Sequence, residues 1–218
     1  MIPNSISRPV VTISKEALAQ LPAASFSGHI RLIDRPEDIH EAVAHLRSAP
    51  LIGFDTETRP SFKKGQLHTV SLLQLATPDT CYLFRLNHLG LHSDLVDILQ
   101  DPSLLKVGLS IHDDFHSLRR LKPIEPAGFI DLQQYVKEFK IADNSLSRIY
   151  GILFNERISK GQRLTNWEAE TLTPAQQSYA ALDAIACIRI YQHLTSGAFY
   201  PLTSPYLTFI DPDAPSEK

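Results

Sequence analysis

Several features that define other protein classes are scarce or missing in this chain of 218 residues. It has two cysteines, Cys81 and Cys187, which make neither a disulfide framework nor the ligand spacing of a zinc site. No run approaches the roughly eighteen apolar residues of a membrane helix, and the N-terminal residues lack the charged start and apolar stretch of a signal peptide. We therefore expect a cytoplasmic protein in a reducing compartment.

An excess of positive charge is also absent. The formal net charge is -3 at pH 7, which argues against a protein that coats nucleic acid through a broad basic surface, because such binding needs many Lys and Arg contacts. It does not argue against an enzyme that grips one strand end. The nine histidines show no HExxH motif or paired spacing, so the sequence indicates no histidine-based metal site.

The order of the hydrophobic patterns predicts an α/β fold. Residues 29–34 predict a strand and the next fifteen an amphipathic helix, whereas 51–57, 69–76 and 80–86 predict three strands joined by short turns, an antiparallel meander. Beyond the meander, helices and strands alternate up to a long helix from about Pro174 to Leu194, with Thr173 as its cap. We expect a mixed sheet, with an antiparallel meander and then parallel strands, flanked by helices.

The composition along the chain predicts three parts. Residues 1–28 predict an attached N-terminal arm with one short helix after Ser14, and residues 197–218 a tail rich in Pro, Ser and Asp. Residues 29–196 then form the single domain.

Acidic residues stand at the ends of predicted strands. Asp55 and Glu57 are two residues apart on one strand, so both side chains leave the same face. Chance gives about three acidic pairs at this spacing in such a chain, so the alternative is a solvated strand end. Asp114 begins the helix after the strand at 105–110, where ligand-contacting residues gather in α/β sheets. Asp113 suits that position equally well, and either acid is favoured at a helix start by the dipole alone.

The long C-terminal helix carries a further acid. Tyr179 and Asp183 are spaced i, i+4, so they share one face, which is otherwise apolar. A carboxylate on an apolar face is costly unless it is paired or binds a metal. The alternative is a rotation of the helix that leaves Asp183 in water.

If these four acids converge, two of them 4 Å apart repel by about 4 kcal/mol at an effective dielectric of 20. No Lys or Arg lies within the motifs to cancel this repulsion. Hard divalent cations with oxygen ligands would do so, and the ligand type favours Mg²⁺ or Mn²⁺.

Three segments carry a resemblance to a known family. GFDTET (53–58), VGLSIHDDFHSL (107–118) and YAALD (179–183) resemble the three motifs of the DEDDy class of ribonuclease H-like nucleases, the 3′-5′ exonuclease domains of the ribonuclease D and Werner helicase type. Residues 65–84 and 160–184 resemble further parts of that family, and the similarity covers about residues 30–194.

The resemblance implies a ribonuclease H-like fold and a catalytic set on this chain. Asp55 would bridge two divalent metal ions, Glu57 and Asp183 would complete one ion's shell, and Asp114 would hold the other largely through water. Tyr179 would orient the attacking water. The implied activity is hydrolysis of the terminal phosphodiester bond at single-stranded or frayed 3′ ends of DNA or RNA, with release of nucleoside 5′-monophosphates.

Six further residues are candidates for substrate binding, and all but Thr56 have a plainer alternative. The alternative is a solvated loop for the basic residues and core packing for the aromatic and aliphatic ones. The six are Thr56, Phe115, Leu118, Lys160, Arg163 and Trp167. A basic turn after the first motif, with Arg59, Lys63 and Lys64, is close enough to meet phosphates, although most such turns are simply exposed.

Two other functions remain open at this stage. One is a non-catalytic nucleic-acid-binding module on the same fold, which the presence of all four acids and the tyrosine disfavours. The other is a phosphodiesterase specific for very short oligonucleotides. Neither the choice between DNA and RNA nor the oligomeric state can be predicted from the sequence.

Overall fold

A computed structural model describes residues 7–61 and 68–210. Within these ranges the helices and strands follow in the order β1 (Arg8–Val11), α1 (Lys15–Gln20), β2 (His29–Ile33), α2 (Ile39–Arg47), β3 (Leu51–Thr58), β4 (Val70–Ala76), β5 (Thr80–Arg85), α3 (Leu86–Leu89), α4 (Ser93–Gln100), β6 (Leu105–Gly108), α5 (Ile111–Arg119), β7 (Phe129–Asp131), α6 (Leu132–Tyr135), α7 (Leu146–Phe154), α8 (Pro174–Thr195) and β8 (Leu207–Ile210). Lys63 and Lys64 of the predicted basic turn lie outside the described residues.

The main sheet confirms the predicted mixed topology. In the described part of the chain its six strands have the order β2-β5-β4-β3-β6-β7. The pairs β3/β4 and β4/β5 are antiparallel, as expected for a meander, whereas β2/β5, β3/β6 and β6/β7 are parallel. The sheet is therefore the mixed α/β sheet that the sequence pattern predicted.

Helices cover both faces of this sheet because side chains alternate along each strand. Leu72, Ala76 and Leu83 pack in the same cluster as α8 and α7. Leu73, Leu75 and the other alternate residues of these strands pack on the opposite side with α2, α4 and α5. The central strands β4 and β5 are buried throughout, which explains why they read as nearly continuous apolar runs.

The long helix α8 begins where the sequence predicted. Its N-terminus is closed by a capping box, in which the Thr173 hydroxyl accepts from the Gln176 backbone and the Gln176 side chain accepts from the Thr173 backbone. Pro174 occupies the first turn, where its missing N–H costs nothing. The Gln176 amide also donates to Thr165 Oγ1 at 3.0 Å, which ties the helix start to the preceding loop.

The N-terminal arm and the tail are tied to the domain and to each other. Strand β1 pairs antiparallel with β8, and Val11 and Ile13 are buried in the same cluster as α8. The buried Asp143 accepts from the Ile13 N–H at 3.0 Å and from the Thr12 hydroxyl at 2.9 Å. The boundaries at residues 28 and 197 stay predictions, but the described part of the arm contributes to the main core.

Among the described residues, the structure contains no helix with the length and apolar character needed to cross a membrane.

Candidate active site

The first two acids leave strand β3 on the face that α8 covers. Three alternate residues of this strand lie on the same face, which is directed towards the helix: Gly53, Asp55 and Glu57. A Cβ atom at Gly53 would overlap the carbonyl oxygen of Ala184 on α8. Glycine at this position therefore permits the close contact that brings the helix over the end of β3.

Helix α8 contributes its acid to the same place. Asp183 is only 5% exposed, which excludes the alternative of a helix rotated to leave it in water. Its carboxylate, with those of Asp55 and Glu57, forms a group in which one oxygen from each acid lies within 4.8 Å of the others. The convergence expected from the sequence is thus present for three of the four acids.

Burial and mutual repulsion make these acids hard to ionise. Burial, and then the charges of Asp183 and Asp114, raise the pKa of Glu57 to about 9 and that of Asp55 well above its usual range. Burial raises the pKa of Asp183 to about 7, although a hydrogen bond from Tyr179 and the charge of Lys160 oppose this rise. The cluster therefore holds protons that carboxylic acids in water would have lost.

The donor set fits hard divalent cations. Three carboxylates supply only oxygen ligands, which are those that Mg²⁺ and Mn²⁺ prefer. In the described ranges, none of the three acids forms an ion pair with a Lys or Arg. A divalent cation would supply the positive charge that the protein itself does not place within ion-pair distance.

Asp114, rather than Asp113, faces this site. Asp114 lies in the first turn of α5 and accepts a hydrogen bond from the Thr56 hydroxyl, between the two acids of β3. Burial raises the pKa of Asp114 to about 6, although this hydrogen bond opposes the rise. The side chain of Asp113 is 94% exposed. The helix begins at Ile111, earlier than the sequence predicted, and Asp114 lies in its first turn.

The turn that carries Asp114 has a strained residue. Ser110 has φ 60° and ψ 36°, in the left-handed region that non-glycine residues rarely adopt. Its backbone N–H donates to the Asp131 carboxylate at 2.9 Å, and the same oxygen accepts from the Gln133 N–H at 2.9 Å. Asp131 thereby fixes the turn before α5, a role that its sequence position did not reveal.

Tyr179 lies one helical turn before Asp183, as the spacing predicted. Burial, and then the charges of Asp183 and Glu57, raise the pKa of the Tyr179 hydroxyl above its usual value, so it keeps its proton. Its ring packs against the indole of Trp167 with centroids 6.1 Å apart. The hydroxyl is therefore a hydrogen-bond donor held at the edge of the acidic cluster.

A cleft of about 320 Å³ opens beside the acids. Asp55, Tyr179 and Asp183 line one side, and Lys160 and Arg163 line another. The charge of Lys160 lowers the pKa of Asp183, and the charge of Arg163 lowers that of Glu57, so both cations act on the cluster. These two predicted residues are thus placed at the candidate site.

The other substrate-binding candidates have different surroundings. Leu118 is fully buried in the core on the opposite face of the sheet, and Trp167 is fully buried beneath its loop. Both predictions of substrate contact need correction, because a side chain with no exposed surface packs the protein instead. Phe115 is half-buried against Phe54 and Phe129, at 5.9 and 4.7 Å between ring centroids. Its main contacts are also with the core.

Three further residues lie near the cleft or in the basic turn. Arg59 of the basic turn forms an exposed ion pair with Glu168, with 3.1 Å between Nη1 and Oε2. The cleft also includes Asn144 and Ser145 before α7, which sequence reasoning missed. Ser145 caps that helix by accepting from the Arg148 N–H, so the run Asp-Asn-Ser before an apolar segment was the available signal.

Two solved nuclease structures share this fold. The exonuclease domain of Aedes aegypti Nibbler superposes with a TM-score of 0.72 at 23% identity, covering 83% of this chain and 96% of that one. Escherichia coli ribonuclease D superposes with a TM-score of 0.68 at 22% identity, covering 77% and 44%. At this identity the likeness shows the fold, which is ribonuclease H-like.

The sequence comparison defines the family. The family described as 3′-5′ exonuclease matches residues 30–197, which is most of the chain, so the chain belongs to the 3′-5′ exonuclease family. Exonuclease 3′-5′ domain-containing protein 2 of Drosophila melanogaster is 33% identical over 160 residues, covering 72% of this chain and 27% of the relative. The mouse bifunctional 3′-5′ exonuclease/ATP-dependent helicase WRN is 31% identical over 155 residues, covering 68% and 11%. The chain thus spans about a quarter or less of these two relatives.

Proposed function

We propose that this chain is a metal-dependent 3′-5′ exonuclease of the DEDDy class. It hydrolyses the terminal phosphodiester bond at single-stranded or frayed 3′ ends of DNA or RNA and releases nucleoside 5′-monophosphates. The observation that carries the proposal is the group of Asp55, Glu57 and Asp183, whose oxygens lie within 4.8 Å of one another without a basic partner among the described residues.

The acids have distinct roles in this proposal. Asp55, Glu57 and Asp183 would hold one of two divalent ions, Mg²⁺ or Mn²⁺, and Asp114, outside the group of three, would help to hold the second with Asp55. When bound, such ions lower the pKa of water and stabilise the charge that develops on a phosphate. The Thr56 hydroxyl keeps the Asp114 carboxylate turned towards β3.

The remaining side chains of the cleft bind and orient the reactants. The Tyr179 hydroxyl orients the attacking water by donating a hydrogen bond to its oxygen, and the raised pKa of Tyr179 keeps the hydroxyl protonated. The water loses a proton to solvent and its oxygen forms a bond to phosphorus as the bond to the 3′ oxygen breaks, and the leaving 3′ oxygen takes up a proton from solvent. Lys160 and Arg163 supply the positive charge that attracts the phosphate into an otherwise acidic cleft.

The first test is Asp55→Ala, compared with Asp113→Ala on the exposed side of α5. With 5′-labelled DNA and RNA oligonucleotides in Mg²⁺ or Mn²⁺, the parent chain should give a ladder that shortens from the 3′ end. Asp55→Ala should lower the rate by about a thousandfold or more, because several kcal/mol of transition-state stabilisation depend on the bound metal. Asp113→Ala should cleave at the parent rate. A ladder from Asp55→Ala at the parent rate would contradict the assignment.

The second test is Tyr179→Phe, which removes one hydroxyl and keeps the ring against Trp167. We expect the cleavage rate to fall by about ten- to a hundredfold, whereas calorimetry should show Mn²⁺ binding close to that of the parent. Cleavage by Tyr179→Phe at the parent rate would mean that the hydroxyl does not orient the water. Comparing a dinucleotide with a longer strand in the same assay distinguishes this function from a phosphodiesterase for very short oligonucleotides.

A further inference from the structure

Gln74 is a buried polar residue with no hydrogen-bond partner among the described residues. It lies in the middle of β4 with 0% of its surface exposed, and neither its amide oxygen nor its amide nitrogen has a hydrogen-bond partner in the described structure. Buried side-chain amides are nearly always paired in proteins, because an unpaired one loses its bonds to water without replacement. Its presence in the centre of an apolar sheet therefore needs a reason.

The strand register places Gln74 next to the candidate active site. In the antiparallel pair of β3 and β4, Gln74 lies directly opposite Asp55. Residues in such a pair point to the same face, with Cβ atoms about 5 Å apart. Leu72 and Ala76, two residues to either side of Gln74, pack in the cluster beneath α8. The Gln74 side chain therefore points to the face of the sheet that α8 covers, as the Asp55 side chain does.

The other cross-strand neighbour cannot pair with the amide. On β5, Gln74 faces Leu83, which is apolar and fully buried. The nearest cross-strand acceptor is therefore the carboxylate of Asp55. A carboxylate that holds a cation only accepts hydrogen bonds, and the Gln NH₂ group has two donors, so the two groups are complementary in the metal-bound site.

We propose that Gln74 is a positioning residue for Asp55. Its amide N–H donates to the Asp55 carboxylate when that carboxylate holds a divalent cation, and so fixes which carboxylate oxygen faces the ion. The proposal rests on the metal-binding function proposed above for Asp55. Groups that orient metal ligands in this way typically change metal affinity by about ten- to a hundredfold when they are removed.

This role predicts changes of opposite sign in two measurements. Replacing the unpaired amide with an apolar side chain of similar size, as in Gln74→Leu or Gln74→Met, should raise the melting temperature of the metal-free protein. The same variants should bind Mn²⁺ about ten- to a hundredfold more weakly in titration calorimetry. A residue that serves only the core would give a lower melting temperature and an unchanged Mn²⁺ affinity.

Leu83→Ala is the matched control, because it opens a cavity on the same face of the next strand without touching an acid. It should lower the melting temperature and leave Mn²⁺ affinity within about threefold of the parent. If Gln74→Leu and Gln74→Met bind Mn²⁺ as the parent does, the positioning role is wrong and the metal function stands. If the parent itself binds no Mn²⁺, both proposals are wrong. Lower melting temperatures for both Gln74 variants would also overturn the inference, since they would show that the amide is paired in the metal-free protein.

Discussion

Replacing Asp183 with Asn should stabilise the metal-free protein at pH 8. The pKa of Asp183 is about 7 in the folded chain, against 3.8 for the unperturbed group, chiefly because the side chain is buried. Between these two values of pH, the folded protein therefore keeps the Asp183 proton that the unfolded protein has released. The free energy of unfolding falls as the pH rises through this window, and the full contribution is lost above pH 7.

The size of this effect follows from the same numbers. A pKa of about 7 instead of 3.8 corresponds to about 4 kcal/mol of lost folding free energy once Asp183 is ionised. Asparagine has nearly the same shape and no charge, but its buried NH₂ group must be desolvated, so we expect about half of this amount to be recovered. A gain of about 2 kcal/mol raises the melting temperature of a chain of this size by about 4 to 8 °C.

The assay is a thermal unfolding series of parent and Asp183→Asn in EDTA from pH 5 to pH 8. The difference between them should be largest at pH 8 and shrink towards pH 5, where the parent holds its proton. Asp113→Asn is the control, because the Asp113 side chain is 94% exposed. This variant should have the melting temperature of the parent at every pH. Adding Mn²⁺ at pH 8 should stabilise the parent and leave Asp183→Asn nearly unaffected, since metal that binds only the folded state raises its stability. A lower melting temperature for Asp183→Asn at pH 8 would refute the reasoning.

Two other substitutions test how the fold places the site. Gly53→Ala should lower the free energy of unfolding by about 1 to 3 kcal/mol, because the new Cβ would overlap the Ala184 carbonyl and force α8 away from β3. The control Gly161→Ala, in an open loop, should change little in the same thermal melts. Equal stability of Gly53→Ala and parent would contradict the close contact. Lys106→Met should lower the free energy of unfolding by about 3 kcal/mol, since the buried ammonium donates to three carbonyl oxygens, those of Ile98, Asp101 and Leu104. Urea unfolding would measure this loss, with the exposed Lys122→Met as the control. A loss no larger than that of the control would show that these bonds contribute little.

Much of the fold could be predicted because its signals are local. The apolar runs of β3, β4 and β5 and the turns between them fixed the antiparallel meander, and Thr173 with Pro174 located the start of α8. The arm was harder, since Val11 and Ile13 read as part of an extension. Their burial depends on Asp143, which is about 130 residues away in the chain, and no local pattern shows such a pairing. The cytoplasmic location stays a prediction.

The candidate site also contains both residues whose placement could be predicted from the sequence and residues whose placement could not. The spacing of Asp55 with Glu57, and of Tyr179 with Asp183, predicted which side chains share a face, because strand and helix periods are fixed. The choice between Asp113 and Asp114 depended on the rotation of α5, and that rotation depends on the left-handed Ser110 and its bond to Asp131. Trp167 was ambiguous for another reason: an indole has the same chemistry whether it stacks on a base or fills a loop, and only its burial distinguishes the two.

The buried polar groups of the site favour a functional origin over a structural one. A side chain kept for stability has a partner, as Lys106 has in three carbonyl groups and Asp143 has in Arg148 at 2.8 Å. By contrast, Glu57 and Asp183 share a buried space in which the charge of Asp183 makes Glu57 harder to ionise, and no other described side chain offsets that cost by forming an ion pair with them. Two carboxylates within 4.8 Å repel by about 3 kcal/mol or more at an effective dielectric of 20. A chain that is selected to fold carries such a cost only where a cation repays it, so the unfolding free energy at pH 8, measured with and without Mn²⁺, bears directly on the function.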